Sequence, residues 1–370
     1  MDFPKSDRIS EGLRPLLGNS VFLTNGAQWE RQRRIIDPAF EGGRLRESFP
    51  AMGAASEAAA ARLPEGVTEI EAQTSHAAAD VIFRTLFSLP IEDELAGAVF
   101  HAFRAYQRSQ PILNLAAFVP LPRWMPRGFR RDTRATAAEI RRLITQLVDR
   151  RADEIAAGTA PDDLATKIMT TPDPETGETF TPEEMVDQVA IFFLAGHETS
   201  ASALAWALYL VALYPERQDR IAEEARMSAA RDVFRETLRL YPPVPMMVRE
   251  TTCPERFRDR DVARGSQVVI SPWHLHRHTR LWDQPDDFDP GRWQTENGKT
   301  CMREAFIPFS AGARVCTGAG FAMVEGPLIL ARLLRDHVVL PVPDRAPVPV
   351  AHLTVRARDG IWLEIRKRQR

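Results

Sequence analysis

Apolar residues recur three and four positions apart through much of the first half of the chain. Because an α-helix completes a turn in about 3.6 residues, this spacing places them on one helix face. It predicts helices over residues 44–62, 68–107 and 133–157. Between the last two, the apolar, proline-punctuated segment from Leu113 to Pro126 predicts a turn between two helices.

A longer helix is predicted from Thr181 to about Tyr214. Thr181 suits the N-cap, the proline after it suits the first helical position, and two glutamates follow in the first turn. Residues 189–214 are largely apolar, which could indicate a membrane span. The polar run His197–Ser200 interrupts them and would be costly in lipid, so the pattern favours a buried central helix of a soluble fold.

Beyond residue 240, short runs rich in β-branched and aliphatic residues indicate strands. They are Val268–Ser271, Val338–Leu340, Leu353–Val355 and Ile361–Ile365. Proline-rich turns separate several of them. The predicted fold class is therefore mainly α with a small β region.

Composition and charge limit the classes of binding partner but do not indicate a reaction. The chain has 370 residues, 44% of them hydrophobic and 26% charged, and its formal net charge is −2, as in ordinary globular proteins. This balance argues against a nucleic acid partner. Arg31 and Arg34 remain candidates for docking an acidic protein. Three cysteines and no secretory signal fit a reducing cytoplasm.

The segment from Phe309 to Gly318 holds Cys316 in a glycine-rich loop that an apolar helix follows. Glycines let the backbone approach a flat ligand closely. A cysteine at a helix N-terminus is biased toward thiolate, and such a thiolate can be the axial ligand of a haem iron. The alternative is a buried cysteine that acts as a small hydrophobic residue.

The long helix carries Glu198 and Thr199 next to each other, just after Gly196. A glycine inside a helix costs roughly 1 kcal/mol relative to alanine, and a ligand close to the helix would explain it. The carboxylate and hydroxyl could form a proton relay. Alternatively, Thr199 bonds a carbonyl of its own helix and Glu198 pairs with an arginine. His197 is interpreted as a satisfied core residue.

Two further pairs have helical spacing. Glu236 and Arg239 share a face at i, i+3, and Trp29 and Arg33 share one at i, i+4. Taken alone, they read as a solvated ion pair and a cation–π pair.

Alternating histidines raise a competing hypothesis. On a strand, His274, His276 and His278 would share one face and could hold zinc. No further CxxC or HxxxH pair of the usual structural zinc kind accompanies them, so His276 is interpreted as structural instead.

Four motifs together resemble the cytochrome P450 family and occur in the family's order. They are WxxxR at 29–33, AGxET at 195–199, ExxR at 236–239 and FxxGxRxCxG at 309–318. The resemblance implies the cytochrome P450 fold and a bacterial-type soluble haem-thiolate monooxygenase. It also implies a single domain over 1–370 that lacks the family's N-terminal portion and a segment near 226–229.

The resemblance implies roles for particular residues. Cys316 would bind the iron of haem b, and Glu198 and Thr199 would manage protons. Propionate or porphyrin contacts are implied for Trp29, Arg33, Ala195, Gly196, Arg249, Phe309, Gly312, Arg314 and Gly318. Glu236, Arg239 and Arg292 would form a structural cluster. The substrate pocket would include Phe192, Phe193, Val244, Met246, Met247 and Leu353.

The implied reaction inserts one oxygen atom from O2 into a lipophilic small molecule. Electrons would come from a separate ferredoxin or flavodoxin with its reductase, and neither nucleic acid nor a membrane span is expected. Two other functions stay open: a peroxide-driven haem-thiolate enzyme, and a non-catalytic haem-thiolate binding or sensor protein.

Overall fold

The computed structural model describes residues 3–41, 43–109, 131–224 and 227–369. Helices predominate in this part of the chain. They are α1 Asp7–Leu17, α2 Gly26–Phe40, α3 Arg44–Arg62, α4 Ile70–Phe87, α5 Glu94–Ser109, α6 Arg131–Ala156, α7 Leu164–Thr170, α8 Pro182–Ala212, α9 Pro215–Glu223, α10 Ser228–Leu240, α11 Pro272–Leu275, α12 Glu296–Glu304 and α13 Ala319–Asp336.

The strands are short and pair antiparallel. They are β1 Gly66–Glu69, β2 Met247–Glu250, β3 Glu255–Phe257, β4 Arg260–Val262, β5 Gln267–Ile270, β6 His337–Pro341, β7 Pro349–Ala351, β8 Val355–Ala357 and β9 Trp362–Lys367. One sheet has the order β1-β9-β6, and the two-stranded sheets are β2-β5, β3-β4 and β7-β8. The mainly α fold class with a small β region is confirmed.

The chain divides into two compact units. The first unit comprises residues 1–42, 86–195 and 247–270. Within it, α6 packs against α1, α5 and α7, and α2 packs against α7. The strands β2–β5 belong to this unit as well.

The second unit comprises residues 43–85, 196–246 and 271–370. Here α13 packs against α3, α9 and α10. Its apolar core gathers side chains from α3, α4, the second half of α8, α10, α13 and the β1-β9-β6 sheet. Trp206 of α8 is fully buried there and stacks on Tyr241, with ring centroids 4.0 Å apart.

The start of α8 follows the sequence prediction. The Glu184 backbone N–H donates to Thr181 Oγ1 at 3.2 Å, and the Thr181 N–H donates to Glu184 Oε2 at 3.0 Å. This reciprocal pair is a capping box, which satisfies N–H groups that a helix leaves unpaired at its first turn. The helix ends at Ala212, two residues before Tyr214.

One helix prediction is wrong. Residues 68–107 do not form a continuous helix, because β1 comes first and a turn separates α4 from α5. Ser88 in that turn has φ +57°, which no helix continues through. The predicted strand Leu353–Val355 is also displaced: β7 ends at Ala351 and β8 begins at Val355.

Two sequence predictions fall outside the described residues. The turn between Leu113 and Pro126 is one. The missing segment near residues 226–229 is the other, because residues 225 and 226 are not among the described ones, and it stays a prediction. The single domain that lacks an N-terminal portion also stays a prediction.

Candidate functional site

The loop that carries Cys316 closes on itself. The Cys316 backbone N–H donates to the Phe309 carbonyl at 2.9 Å. Ser310 and Gly312 have φ of +66° and +67°, and a Cβ on Gly312 would meet nothing within 4 Å. One turn of 3-10 helix, Gly312–Arg314, leads to the cysteine. The backbone is therefore bent sharply and one side of it is left open.

Cys316 lies just before the N-terminus of α13. The Ala319 N–H, at the first residue of that helix, donates to the Cys316 carbonyl at 3.3 Å. The thiol is exposed and forms no disulfide, so Cys316 is not the buried hydrophobic residue that the sequence left as an alternative. Position at a helix N-terminus favours thiolate. Cys301 differs, because its burial raises the pKa of its thiol.

Helix α8 has an uncovered patch where the acid and the alcohol occur. Ala195 is exposed and Thr199 half-buried, whereas residues on either side of that patch are mostly buried. These two residues are four apart and share a helix face. A Cβ on Gly196 would lie 2.5 Å from Ile82 Cδ1 of α4. A side chain at this position would therefore require the end of the Ile82 side chain to shift, so packing on α4 accounts for the glycine in part.

Glu198 is 5% exposed and paired. Its Oε1 accepts hydrogen bonds from Thr354 Oγ1 at 2.9 Å and from Arg356 Nη2 at 3.0 Å. Its Oε2 is buried and has no hydrogen-bond partner among the described residues. The arginine pairing that the sequence left open is thus present, and one carboxylate oxygen remains unused.

His197 is a satisfied core residue, as the sequence predicted. Its Nε2 lies 2.7 Å from Ser75 Oγ, and the side chain is buried.

The ExxR pair is internal rather than solvated. Glu236 Oε1 accepts from Arg239 Nη2 at 2.8 Å and from Arg292 Nε at 2.9 Å, and all three side chains are buried. The two arginines also donate to backbone carbonyls between residues 276 and 287. A buried charge needs such partners. This Glu236 cluster (Glu236, Arg239, Arg292) therefore fixes the irregular segment that runs up to Arg292.

His276 connects that cluster to the cysteine loop. Its Nε2 accepts from the Ile307 N–H at 2.9 Å, so the proton sits on Nδ1, which donates to the Arg239 carbonyl at 3.2 Å. Burial, aided by the charges of Arg239 and Arg277, lowers the pKa of His276 to about 4. The ring is neutral and structural, as the sequence interpretation held.

The three histidines do not lie on a strand, so that premise of the zinc hypothesis is wrong. His274 belongs to the short helix α11 and its Nδ1 lies 2.9 Å from Ser271 Oγ. His278 Nδ1 accepts from the Arg280 N–H at 3.1 Å in the turn that follows.

Glu325 is a buried acid that the sequence reading did not single out. It lies on α13, and its Oε2 accepts from Ser200 Oγ of α8 at 3.1 Å. Burial raises the pKa of Glu325 to about 8. The helix that begins after Cys316 is thus joined to the residue next to Thr199 through a neutral carboxyl group.

In the first unit, Trp29 and Arg33 contact each other. The Arg33 guanidinium carbon lies 5.8 Å from the Trp29 ring centroid, and Arg33 Nε bonds Asp37 Oδ2 at 2.9 Å. Burial raises the pKa of Asp37, and Arg33 opposes that shift. The cation–π pair that spacing suggests is therefore present.

Arg249 of β2 is a half-buried cation. Its strand pairs with β5, where Arg249 faces Val268. Its Nη1 donates to the Val248 carbonyl at 3.1 Å, and no carboxylate within the described ranges pairs with it. Burial lowers the pKa of this guanidinium. An anion beside it would offset that desolvation.

Arg31 and Arg34 are each paired with a carboxylate of their own unit, so their role in docking an acidic protein stays a prediction. Arg31 Nη1 bonds Glu184 Oε1 at 2.8 Å. Arg34 makes two bonds to Asp173, at 2.6 and 3.1 Å. Both positive charges are neutralised within the same unit.

The residues predicted to line a substrate pocket are distributed over both units. In the second unit, Val244 and Leu353 are exposed and Met246 is half-buried. In the first unit, Phe192 is half-buried, with its ring 5.7 Å from that of Phe40. The remaining two are Phe193, which is buried and stacked on Phe87, and Met247, which pairs with Ile270 between β2 and β5.

Sequence reasoning missed Thr354, Arg356 and Glu325. Thr354 and Arg356 contact Glu198 although more than 150 residues of chain separate them from it, so no local pattern in the sequence predicts the contact. Glu325 did carry a signal, since it is a lone carboxylate in an apolar helical run. Such a group is rarely buried without a partner.

Within the described residues, no helix combines the length and hydropathy that a membrane crossing requires. Across the same residues, no group of three or more histidine, cysteine, aspartate or glutamate side chains is arranged to hold a metal ion.

Known proteins resemble this chain along nearly its full length. The family model of cytochrome P450 matches residues 2–363. The chain is 33% identical to cyclooctatin synthase of Streptomyces melanosporofaciens, covering 94% of this chain and 79% of that protein. It is 32% identical to cyclooctat-9-en-7-ol 5-monooxygenase of the same organism, covering 90% and 76%.

A solved structure agrees in fold. The chain superposes on a six-coordinated cytochrome P450 from Thermus thermophilus with a TM-score of 0.77 at 24% identity, covering 99% of this chain and 88% of the other. At this identity the likeness is one of fold, and the fold class predicted from sequence is confirmed.

Proposed function

This chain belongs to the cytochrome P450 family and is a monooxygenase of that family, and we propose that Cys316 is the axial ligand of its haem iron. The observation that carries the proposal is an exposed thiol, outside any disulfide, on a closed loop at the start of α13. A single thiolate suits haem iron, whose equatorial ligands come from the porphyrin.

The residues present fit a haem group, which the family implies. The uncovered patch of α8 at Ala195 and Thr199 supplies a surface with little side chain on it. Gly312 leaves open space beside its own backbone. Bound haem supplies the O2-activating chemistry, and the protein supplies binding, orientation and electrostatics.

The chemistry of each residue in the cysteine loop suggests its role at the haem. Phe309 packs against the core of the second unit and would shield the sulfur. Gly312 and Gly318 would let the backbone lie close to the porphyrin, and a Cβ on Gly318 would lie in ordinary van der Waals contact with the Cys316 sulfur, at 3.9 Å. Arg314 would contribute a cation for a propionate.

We propose that the haem propionates bind cationic side chains of the first unit. Arg249 is half-buried and has no carboxylate partner among the residues described, so a propionate would complete its environment. Trp29 and Arg33 are assigned to the same task, with Arg33 already held by Asp37. Propionate-bearing haem b is the form that these contacts suit.

Glu198 and Thr199 are proposed to manage protons. They are consecutive residues of α8, with Ala195 and Gly196 about one turn earlier. Glu198 can hold or release a proton at its unpartnered Oε2, and Thr199 offers a hydroxyl that both donates and accepts. The Glu236 cluster would keep the surrounding segment rigid without taking part in the chemistry.

We propose that the substrate is a lipophilic small molecule. Val244, Met246 and Leu353 present apolar surface in the second unit, and Phe192, Phe193 and Met247 add apolar residues in the first. The relative named cyclooctat-9-en-7-ol 5-monooxygenase is named for adding oxygen at position 5 of a molecule that carries a hydroxyl group at position 7, which makes such molecules reasonable first compounds to screen.

Electrons are proposed to come from a separate ferredoxin or flavodoxin with its reductase. The family to which the chain belongs requires a redox partner, and a small acidic electron carrier is the kind of partner that we propose. We place the reaction in the cytoplasm, because three cysteines outside any disulfide suit a reducing compartment.

The test is the carbon monoxide difference spectrum of the reduced protein. The wild-type protein should give a thiolate-type Soret band, and Cys316→Ser should abolish it while Cys301→Ser retains it. Cys301 is the matched control because it is the other cysteine of the second unit and is buried. A thiolate-type band that survives Cys316→Ser would contradict the assignment.

A further inference from the structure

The two oxygens of the Glu198 carboxylate are in different situations. Oε1 accepts two hydrogen bonds, at 2.9 Å from Thr354 and at 3.0 Å from Arg356. Oε2 is buried and has no partner in the described part of the chain. Buried oxygens normally have partners, so an orphan oxygen in a paired carboxylate requires an explanation.

The donors to Oε1 are held by strand β8. The Val355 carbonyl accepts from Ser202 Oγ at 2.6 Å and from Trp206 Nε1 at 3.4 Å, and both donors lie on α8 one and two turns after Glu198. The Val355 N–H donates to the Pro243 carbonyl at 2.9 Å. The backbone between the two donors is therefore fixed against the same helix that carries the acid.

Strand alternation then explains why both donors meet one oxygen. Side chains two positions apart in extended backbone point the same way, so Thr354 and Arg356 face one side and Val355 the other. Val355 is buried in the apolar core of the second unit. The register of β8 is also held by the Ala357 N–H, which donates to Glu71 Oε1 at 3.1 Å.

Arg356 acts by charge and geometry rather than by carrying a proton. A guanidinium does not release a proton at ordinary pH. Its side chain is 30% exposed, so it joins the buried carboxylate to the solvent side of the unit. The other titratable neighbour is His352, whose pKa is lowered by burial and by Arg356 while Glu198 opposes the shift. Among the described groups, Arg356 is therefore the cation that contacts Glu198.

We propose that Arg356 is a positioning residue for proton delivery: together with Thr354 it holds Glu198 Oε1 and leaves Oε2 as the oxygen that takes up and releases the proton. This rests on the proton role proposed above for Glu198. The overall reaction is R–H + O2 + 2 e⁻ + 2 H⁺ → R–OH + H2O, with electrons from the donor protein, so each turnover consumes two protons.

The experiment compares Arg356→Gln with Arg356→Lys in the holoenzyme during turnover with O2 and a surrogate ferredoxin pair. Arg356→Gln should lower kcat on the order of tenfold, part of the roughly 10²–10⁴-fold that a positioned acid contributes. KM should not change, because substrate binding is untouched. The solvent deuterium isotope effect on kcat should rise, since proton delivery becomes slower. Arg356→Lys should recover most of the rate.

Arg358→Gln is the matched control, because Arg358 is an exposed arginine two residues further along the same segment. It should leave kcat and the isotope effect as in the wild type. If Arg356→Gln does not retain its carbon monoxide spectrum, Thr354→Val replaces it, with the same direction of change and a smaller size.

An infrared measurement provides a readout that does not depend on turnover. Each protein is compared with its own Glu198→Gln version, so that the difference isolates the bands of the Glu198 carboxyl group. These bands should shift in Arg356→Gln, because the hydrogen bond from Arg356 to Oε1 is lost, whereas Arg356→Lys and Arg358→Gln should keep the wild-type bands. The bands of Glu325 are common to both members of each pair and cancel in the difference.

The outcomes separate the two proposals. If Glu198→Gln slows turnover but Arg356→Gln behaves as the wild type in rate, isotope effect and infrared spectrum, the role of Arg356 is overturned and that of Glu198 stands. If Glu198→Gln turns over normally, both roles fail, whereas the assignment of Cys316 is unaffected.

Discussion

Glu325 shows how one side chain can make stability depend on pH. Its folded-state pKa is raised to about 8 by burial, against an ordinary value of 4.5. Below about pH 4.5 both the folded and unfolded states bind the proton, so the folded state keeps its full stability. As the pH rises toward 8 the unfolded state loses this proton first. The free energy of unfolding should therefore fall across this window.

Glu325→Gln should remove that part of the pH dependence, because the amide keeps the shape and cannot ionise. We expect a flatter profile of the free energy of unfolding between about pH 5 and pH 8, measured by denaturant titration. Ser200→Ala is the control: it deletes the hydrogen bond but keeps the carboxyl group, so the slope should persist. A wild-type profile without this slope would show that the pKa of Glu325 is not raised in the folded state.

Among the elements, α13 depends on a glycine as much as on its apolar face. A Cβ on Gly326 would overlap ring atoms of Phe234 of α10. A phenyl ring cannot move aside as a flexible chain end can. The close approach of α10 and α13 is thus possible only with glycine at this position, and it keeps Glu236 of α10 and the cysteine loop on neighbouring elements.

Gly326→Ala should destabilise the protein by about 1–3 kcal/mol, as overpacking of a core does, although alanine is the better helix former. Thermal or denaturant unfolding measures this. The double variant Gly326→Ala/Phe234→Leu should be more stable than Gly326→Ala alone, since the smaller side chain leaves room for the methyl group. An unchanged stability in the single variant would contradict the close packing.

Some elements could be predicted from the sequence because their signals are local. The start of α8 is one, since Thr181 and Glu184 form a capping box within four residues. The break between α4 and α5 was missed because apolar spacing runs through the turn at Ser88. The strand predicted at Leu353–Val355 was displaced from β8, and β7 was not predicted. So short a hairpin takes its position from partners on α8 and near Pro243, not from propensity.

The residues of the candidate site also fall into those that local patterns predict and those that depend on tertiary structure. Cys316, Glu198, Glu236 and Arg239 sit in short motifs whose spacing reflects one helix turn or one loop. Arg356 could not be predicted, because its contact with Glu198 depends on the register of β8. Local motifs therefore point to the residues that we propose for the chemistry, whereas the groups proposed to orient them come from tertiary structure.

At the scale of the whole molecule, the two units respond to opposite ends of the pH range. The second unit contains Glu325, whose raised pKa lowers the free energy of unfolding as the pH rises toward 8. The first unit contains Asp173, whose side chain is buried and bonded to Arg34 and Thr176. The hydrogen bond from Arg34 holds the pKa of Asp173 well below its ordinary value of 3.8. Its contribution to stability is present above that value and is lost as the pH falls below it.

Asp173→Asn should lower the thermal midpoint at neutral pH, because Arg34 loses a charged partner. The difference from the wild type should shrink as the pH falls below about 4, where protons begin to bind the unfolded chain's carboxylate. Hydrogen exchange should locate the change in residues 1–42 and 131–195 of the first unit. A constant difference at every pH would mean that the Asp173 charge adds nothing beyond shape.

The single tautomer of His276 has a practical consequence for preparing the protein without its cofactor. Acid extraction is a direct way to strip a prosthetic group. As the pH falls from 6.5 toward 4, protonation of His276 is favoured only in the unfolded chain, so folding stability declines. Once the ring does protonate, Nε2 becomes a donor that faces the Ile307 N–H. Acid would therefore damage the support of the cysteine loop while it releases the ligand, and transfer to a competing acceptor protein at neutral pH is the better route.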